Sequence, residues 1–135
     1  QTIHLLEINE IIRLINICKK KLTISGKIFI FSLDPHENEI PTFNLMKRKI
    51  NNSLKRDKKI FKLIKKFDFS LIEKKFSYKV NISKIKYTDM IKKKYISTLL
   101  NFTDKQIFTG IKEINTRYNK KLIFNDKLIC LILSK

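Results

Sequence analysis

Two stretches of this chain are apolar at almost every position: Ile28-Phe29-Ile30-Phe31 with Leu33, and Leu128-Ile129-Cys130-Leu131-Ile132-Leu133 near the carboxyl end. A strand with one wet face alternates apolar and polar residues, so a continuous apolar run asks for cover on both faces. That demand predicts an α/β fold in which helices lie over a sheet. The first run follows an amphipathic stretch from Glu7 to Leu22, where Ile8, Ile11, Ile12, Ile15 and Leu22 recur at helical spacing. Glu7 and Glu10 in its first turn and Lys19, Lys20 and Lys21 in its last complement the helix dipole at both ends. Ser25-Gly26 ends the pattern. Helix, short Gly turn and apolar run together read as half of a βαβ unit, with Ile28–Leu33 as a buried central strand parallel to its neighbours.

Further along, Phe43, Met46, Ile50, Leu54, Phe61 and Ile64 can share one face of a second helix starting near Pro41-Thr42. Asn51-Asn52-Ser53 is expected to weaken or break it, because these side chains compete for backbone hydrogen bonds. Phe76, Tyr78, Val80 and Ile82 alternate with polar residues, which predicts a strand with one wet face. Ser83 can cap a helix running to about Leu100. Thr103 and Gln106 have capping-box spacing and open a helix through about Tyr118. Asn125-Asp126 supplies a turn before the last strand. No repeat, low-complexity linker or Pro/Gly/Ser hinge divides residues 1–135, so a single domain with a mixed sheet is the simplest organisation.

The 135 residues carry a formal net charge of +18. Clustered cations favour phosphate partners through counterion release. The kind of cation points elsewhere: there are 26 Lys and 4 Arg, with 24 Ile, 11 Asn and no Ala. Lys, Ile, Asn, Phe and Tyr are the residues of AT-rich codons, and base recognition would favour Arg forks. A solvated lysine surface is therefore the first explanation, and a lysine-rich RNA- or DNA-binding module the alternative. Residues 1–45 balance five basic against five acidic groups, whereas residues 46–68 carry ten against two, so any electrostatic footprint lies after the first third. The longest apolar-leaning run, Tyr95 to Thr103, is far shorter than the roughly 18 to 20 residues of a membrane span. Cys18 and Cys130 lack metal-ligand spacing and read as reduced packing residues in a cytoplasmic protein.

The chain resembles the class I S-adenosylmethionine-dependent methyltransferases in several ordered pieces. Gln1-Thr2-Ile3-His4-Leu5-Leu6 is similar to that family's Q-x-x-H element after the fourth strand. Lys21-Leu22-Thr23-Ile24-Ser25-Gly26-Lys27 is similar to its L-x-P-G-G-x turn, with Ile24 and Ser25 replacing the proline and first glycine. Tyr95-Ile96-Ser97-Thr98-Leu99-Leu100 before Phe102-Thr103-Asp104 looks like the R-Y-x-S-x-L element of small-molecule methyltransferases of the trans-aconitate type, with Lys94 in the Arg place. Phe124 to Leu133 is similar to the antiparallel last strand. The resemblance implies the carboxyl-terminal half of a Rossmann-like sheet: helix, central strand, helices and two late strands. It also implies S-adenosyl-L-methionine as cofactor and a small-molecule acceptor, with carboxylates among the candidates. The family's Gly-rich turn is missing, and Gly26 and Gly110, the only glycines, cannot build one. The expectation is a partial domain of a longer protein, inactive alone, with a start at Gln1 rather than Met agreeing with truncation.

The same resemblance nominates residues. His4 would lie beside the transferring methyl group, shaping the pocket or accepting a proton, and Gln1 would join it at the cofactor; a surface or capping His before the Glu7 helix is the plain alternative. Asp34 and His36 follow the first apolar run, where open α/β sheets bind ligands, and equally suit turn chemistry around Pro35. Tyr95 would offer a hydroxyl to substrate and Ser97 a hydrogen-bond partner, against packing at a helix end.

Overall fold

The computed structural model describes residues 6–34 and 37–135. In chain order the elements are α1 (Ile8–Lys21), β1 (Lys27–Leu33), α2 (Asn44–Ile64), β2 (Ser70–Ser83), α3 (Lys84–Lys92), α4 (Asp104–Arg117) and β3 (Lys121–Ser134), with a 3-10 turn at Ser97–Leu99. The fold is mixed α/β, with an antiparallel sheet of strand order β1-β3-β2. Among the described residues no helix is long and apolar enough to cross a membrane.

The chain forms two compact units. The first comprises Gln1–Glu37, Leu54–Ser77 and Lys127–Lys135; the second comprises Asn38–Ser53 and Tyr78–Asp126. In the first unit β1 pairs antiparallel with β3 in the register Lys27↔Ser134 to Leu33↔Leu128. Ile11 and Ile15 of α1, Ile60, Phe61 and Ile64 of α2, and Ile30, Ile129, Leu131 and Leu133 of the sheet make one hydrocarbon core. Each fully buried Ile or Leu of this kind stabilises by about 1.5–3 kcal/mol relative to exposure.

The structure corrects the expectation for the first apolar run. β1 is not central and its partner is not parallel: it ends the strand order, and β3 takes the middle position. Ile30 faces the core, but Phe29 and Phe31 are 56% and 46% exposed, Phe31 lying 6.3 Å (ring centroid) from Phe76. An apolar run reports how much side chain asks for cover; it does not encode strand direction. The central strand is instead the carboxyl-terminal run, where Ile129, Cys130, Leu131 and Leu133 are all buried. Cys18 and Cys130 are free thiols, and burial pushes the Cys130 thiol up.

Two helix boundaries also differ. α2 runs unbroken through Asn51-Asn52-Ser53, because Ile50 and Leu54 on either side are buried and burial outweighs weak intrinsic propensity. α3 has the expected Ser83 cap, whose hydroxyl accepts from the Lys86 N–H, yet stops at Lys92 rather than Leu100. Its end is closed by the Tyr95 N–H donating to the Met90 carbonyl (3.2 Å) and the Lys94 N–H to that of Ile91 (3.0 Å), with Lys94 at a φ of 52°. That is a Schellman closure with lysine where glycine is usual. β2 is wetter than its alternation implies: Phe76 and Tyr78 are both exposed.

The second unit is built on helix packing. Phe43, Met46, Ile50, Tyr87, Ile91, Leu99, Phe102, Ile107, Ile111, Ile114 and Leu122 are buried. Phe43 lies so close to Gly110 of α4 that a Cβ there would stand 2.6 Å from its ring. α4 begins with the capping box read from sequence: Thr103 accepts from the Gln106 N–H and Gln106 accepts from the Thr103 N–H (2.9 Å). Its far end grips the segment before α2, where the Tyr118 hydroxyl accepts from the Thr42 N–H (3.0 Å) and the Glu113 carboxylate from the Asn44 N–H (2.9 Å).

Candidate functional site

Of the residues nominated by the sequence, Gln1, His4 and His36 lie outside the described residues. Asp34 belongs to the first unit; Tyr95 and Ser97 belong to the second. Asp34 sits immediately after β1 and is 2% exposed. Its N–H donates to the Lys127 carbonyl at 2.9 Å, so the end of β1 is pinned to β3. Its carboxylate pairs with the Lys75 ammonium at 3.3 Å. Next to it the Lys127 ammonium binds Glu37 at 2.8 Å, and this contact, with Lys75 adding to it, holds the Glu37 carboxyl below the usual carboxylate range. Asp34 is therefore a buried, charge-paired carboxylate rather than a loose turn residue, and its partner Lys75 was not singled out by the sequence.

Tyr95 is delivered by the Schellman closure of α3, which turns the chain so that the following 3-10 turn starts at Ser97. Its ring packs edge-on against Tyr87 with centroids 6.0 Å apart, and the two hydroxyl oxygens lie 3.2 Å apart. The Tyr87 hydroxyl donates to the Pro41 carbonyl at 2.5 Å. A phenol has a single proton to donate, so in the Tyr87–Tyr95 bond Tyr95 is the donor and its own lone pairs remain available. Burial, with Tyr95 beside it, pushes the Tyr87 hydroxyl far above the ordinary tyrosine range, and burial raises Tyr95 as well. Both phenols stay neutral at any physiological pH.

Asp126 completes this group. Its charge is felt by both tyrosines, its Oδ1 is buried without a hydrogen-bond partner, and burial pushes its carboxyl up. A buried carboxylate oxygen that no protein donor satisfies costs about 1–3 kcal/mol and is filled in practice by water or a ligand. The pair Asn125-Asp126 read as a turn, but β3 begins at Lys121, so both lie within the strand. Asn125 is held there by Glu39, which accepts from its N–H (3.0 Å) and its side-chain amide (2.9 Å). The resembling span Phe124–Leu133 already contained the pair; β3 begins three residues earlier still, at Lys121, with Leu122 buried. Tyr87 was missed, because a tyrosine on a helix face looks like any core aromatic.

Chemically, the second unit offers a neutral phenol oxygen with free lone pairs and a carboxylate with one buried oxygen, Asp126 Oδ1, that lacks a donor. That combination accepts N–H or O–H groups. Gly26 lies in the α1–β1 turn against Leu22, and Gly110 lies inside α4 against Phe43. Among the described residues no group of His, Cys, Asp and Glu is placed to hold a metal ion. No family model matches the chain, and no curated protein or solved structure matches it either.

Proposed function

We propose that this chain is the carboxyl-terminal, acceptor-side half of a Rossmann-like methyltransferase domain that uses S-adenosyl-L-methionine and methylates a small molecule. The observation that carries the proposal is the element order helix, strand, helix, strand, helices, strand, with the last strand antiparallel to the first. The family resemblance calls for a helix, a strand, helices and two late strands, the last of them antiparallel; the order here shares the opening helix and strand and the antiparallel last strand, with β2 falling between α2 and α3. Because β1 and β2 both run antiparallel to β3, they are parallel to one another, and α2 lies in the connection between them. A connection of that length between parallel strands is the βαβ type that open α/β folds use.

Within this function the residues of the chain hold the acceptor. Methyl transfer from a sulfonium is an in-line displacement with an activated leaving group, so positioning of the nucleophile supplies much of the acceleration. By the resemblance Tyr95 and Ser97 would meet substrate, and Asp126 adds a carboxylate whose raised pKa suits it to take a proton from an acceptor N–H or O–H. Asp34, locked onto Lys75, fixes the end of β1. The cofactor would be held by a Gly-rich segment other than the described residues, joined by Gln1 and His4.

Isothermal titration with S-adenosylhomocysteine tests this, using the chain alone and the chain joined to its upstream coding sequence. Binding by the joined protein alone is the expected outcome. Binding by neither overturns the proposal.

A further inference from the structure

The helix α2 carries eight cations and a single acidic residue, Asp57. Asp57 is 7% exposed, and its carboxylate accepts from the Ser32 hydroxyl at 3.1 Å. The helix's own countercharge is thus turned away from solvent. In the first unit Lys55, Lys58, Lys59 and Lys62 are exposed and follow the spacing i, i+3, i+4, i+7. At about 100° per residue these four fall in one arc about 100° wide. Leu54, Ile60, Phe61 and Ile64, on the other side of the helix, are buried. The row rises about 10 Å along the helix axis. Among the described residues none of the four lies in an ion pair; the nearest such pair along the chain is Lys65 with Glu73, just beyond the row.

The chemistry of the row narrows its partner. A membrane-surface helix inserts an apolar face beside its cationic one, and the apolar face of α2 is already spent in the core. Four lysines without arginine are point charges: they attract phosphate oxygens but lack the planar fork that reads base edges. An acidic protein partner would leave apolar contacts at the centre of the patch, and this row contains none. We infer that the Lys55–Lys58–Lys59–Lys62 row is a docking surface for the sugar-phosphate backbone of a nucleic acid, bound without regard to base sequence. This surface is independent of the acceptor site in the second unit, and it stands whether or not the chain takes part in methyl transfer.

Fluorescence anisotropy with labelled mixed-sequence RNA and DNA duplexes of equal length, between about 50 and 200 mM salt, tests it. Three proteins are compared: the unaltered chain; Lys55→Gln, Lys58→Gln, Lys59→Gln and Lys62→Gln combined; and a charge-matched control combining Lys79→Gln, Lys86→Gln, Lys105→Gln and Lys121→Gln. Duplex binding by the unaltered chain is expected, with log affinity falling linearly against log salt. The row variant should lose about three to four from that slope and bind at least about tenfold more weakly, each single substitution removing about one. The control should stay within about twofold of the unaltered chain. Equal weakening by both variants would reduce the effect to net charge and overturn the assignment. So would failure to bind either duplex at about 50 mM salt, or binding to phosphatidylserine vesicles in place of duplexes.

Discussion

Around Leu131 every side chain of the core cluster is a hydrocarbon, contributed by α1, the second half of α2 and the sheet. Around Tyr87 the buried set includes a phenol that donates to a backbone carbonyl, a second phenol donating to the first, and a carboxylate oxygen with no donor. That hydrocarbon cluster of the first unit is what burial alone produces: non-directional, proportional to area, indifferent to pH, although the same unit also buries Ser32, Asp34 and Asp57, each of them partnered. The second adds directional groups whose worth depends on every partner being present, since an unsatisfied buried polar atom costs more than a satisfied one contributes. Where a fold keeps polar atoms inside despite that asymmetry, function is the first place to look for the reason. The contrast sets the Tyr87–Tyr95–Asp126 group of the second unit, where one buried carboxylate oxygen has no donor, against the first unit, where the buried polar side chains are partnered.

The contrast can be broken by mutation. Leu131→Ala removes a fully buried side chain from the hydrocarbon core. It should cost about 2–5 kcal/mol by chemical denaturation, equally at acid and neutral pH. A loss well under about 1 kcal/mol would show that the first core is loosely packed. Tyr87→Phe keeps the ring in place against Tyr95 and Phe124 but leaves the Pro41 carbonyl and the Tyr95 hydroxyl without their partner. About 1–2 kcal/mol should be lost. A neutral result would mean that water replaces the hydroxyl.

The smallest effect is the most diagnostic. Burial raises the Asp126 carboxyl above its unfolded value, so the fold disfavours the charged form. The penalty is absent below the unfolded value of about 3.9, and it grows as pH rises through the higher folded value. Asp126→Asn should therefore raise the melting temperature at neutral pH, by an amount worth about 1 kcal/mol or less, and leave it unchanged near about pH 3. A variant less stable at neutral pH would mean that the carboxylate is satisfied in solution, and the acceptor-site assignment would lose its main support.

Much of the local structure was legible in the residues. Thr103 and Gln106 announced the start of α4, Ser83 the start of α3, and the charge order of Glu10 and Lys19–Lys21 the direction of α1. Most of the buried face of α2 and its approach was readable, from Phe43 to Ile64, with Ile60 the exception. These features depend on contacts within a few residues or on the periodicity of burial, and both are written locally. The site was less legible. Tyr95 and Ser97 were visible through resemblance, whereas Tyr87 and Asp126 carry no local mark: their significance comes from a carbonyl at Pro41 and a strand position that only folding supplies.

By itself, then, the sequence determined that helices and strands would alternate, where most of them begin, which faces seek burial, and that the lysine excess falls after the first third. Only the tertiary structure decided that the last strand would stand between the other two, that β1 would pair antiparallel at one end of the sheet, and that α2 would run unbroken. It also decided that Asp57 would turn inward and expose an unbroken row of lysine charge, and that one carboxylate oxygen would be buried without a donor. The physical reason is the range of the interactions. Capping and periodicity are settled over one or two turns of chain, whereas strand order, charge segregation and polar satisfaction depend on groups many residues apart, which meet only after the chain has folded.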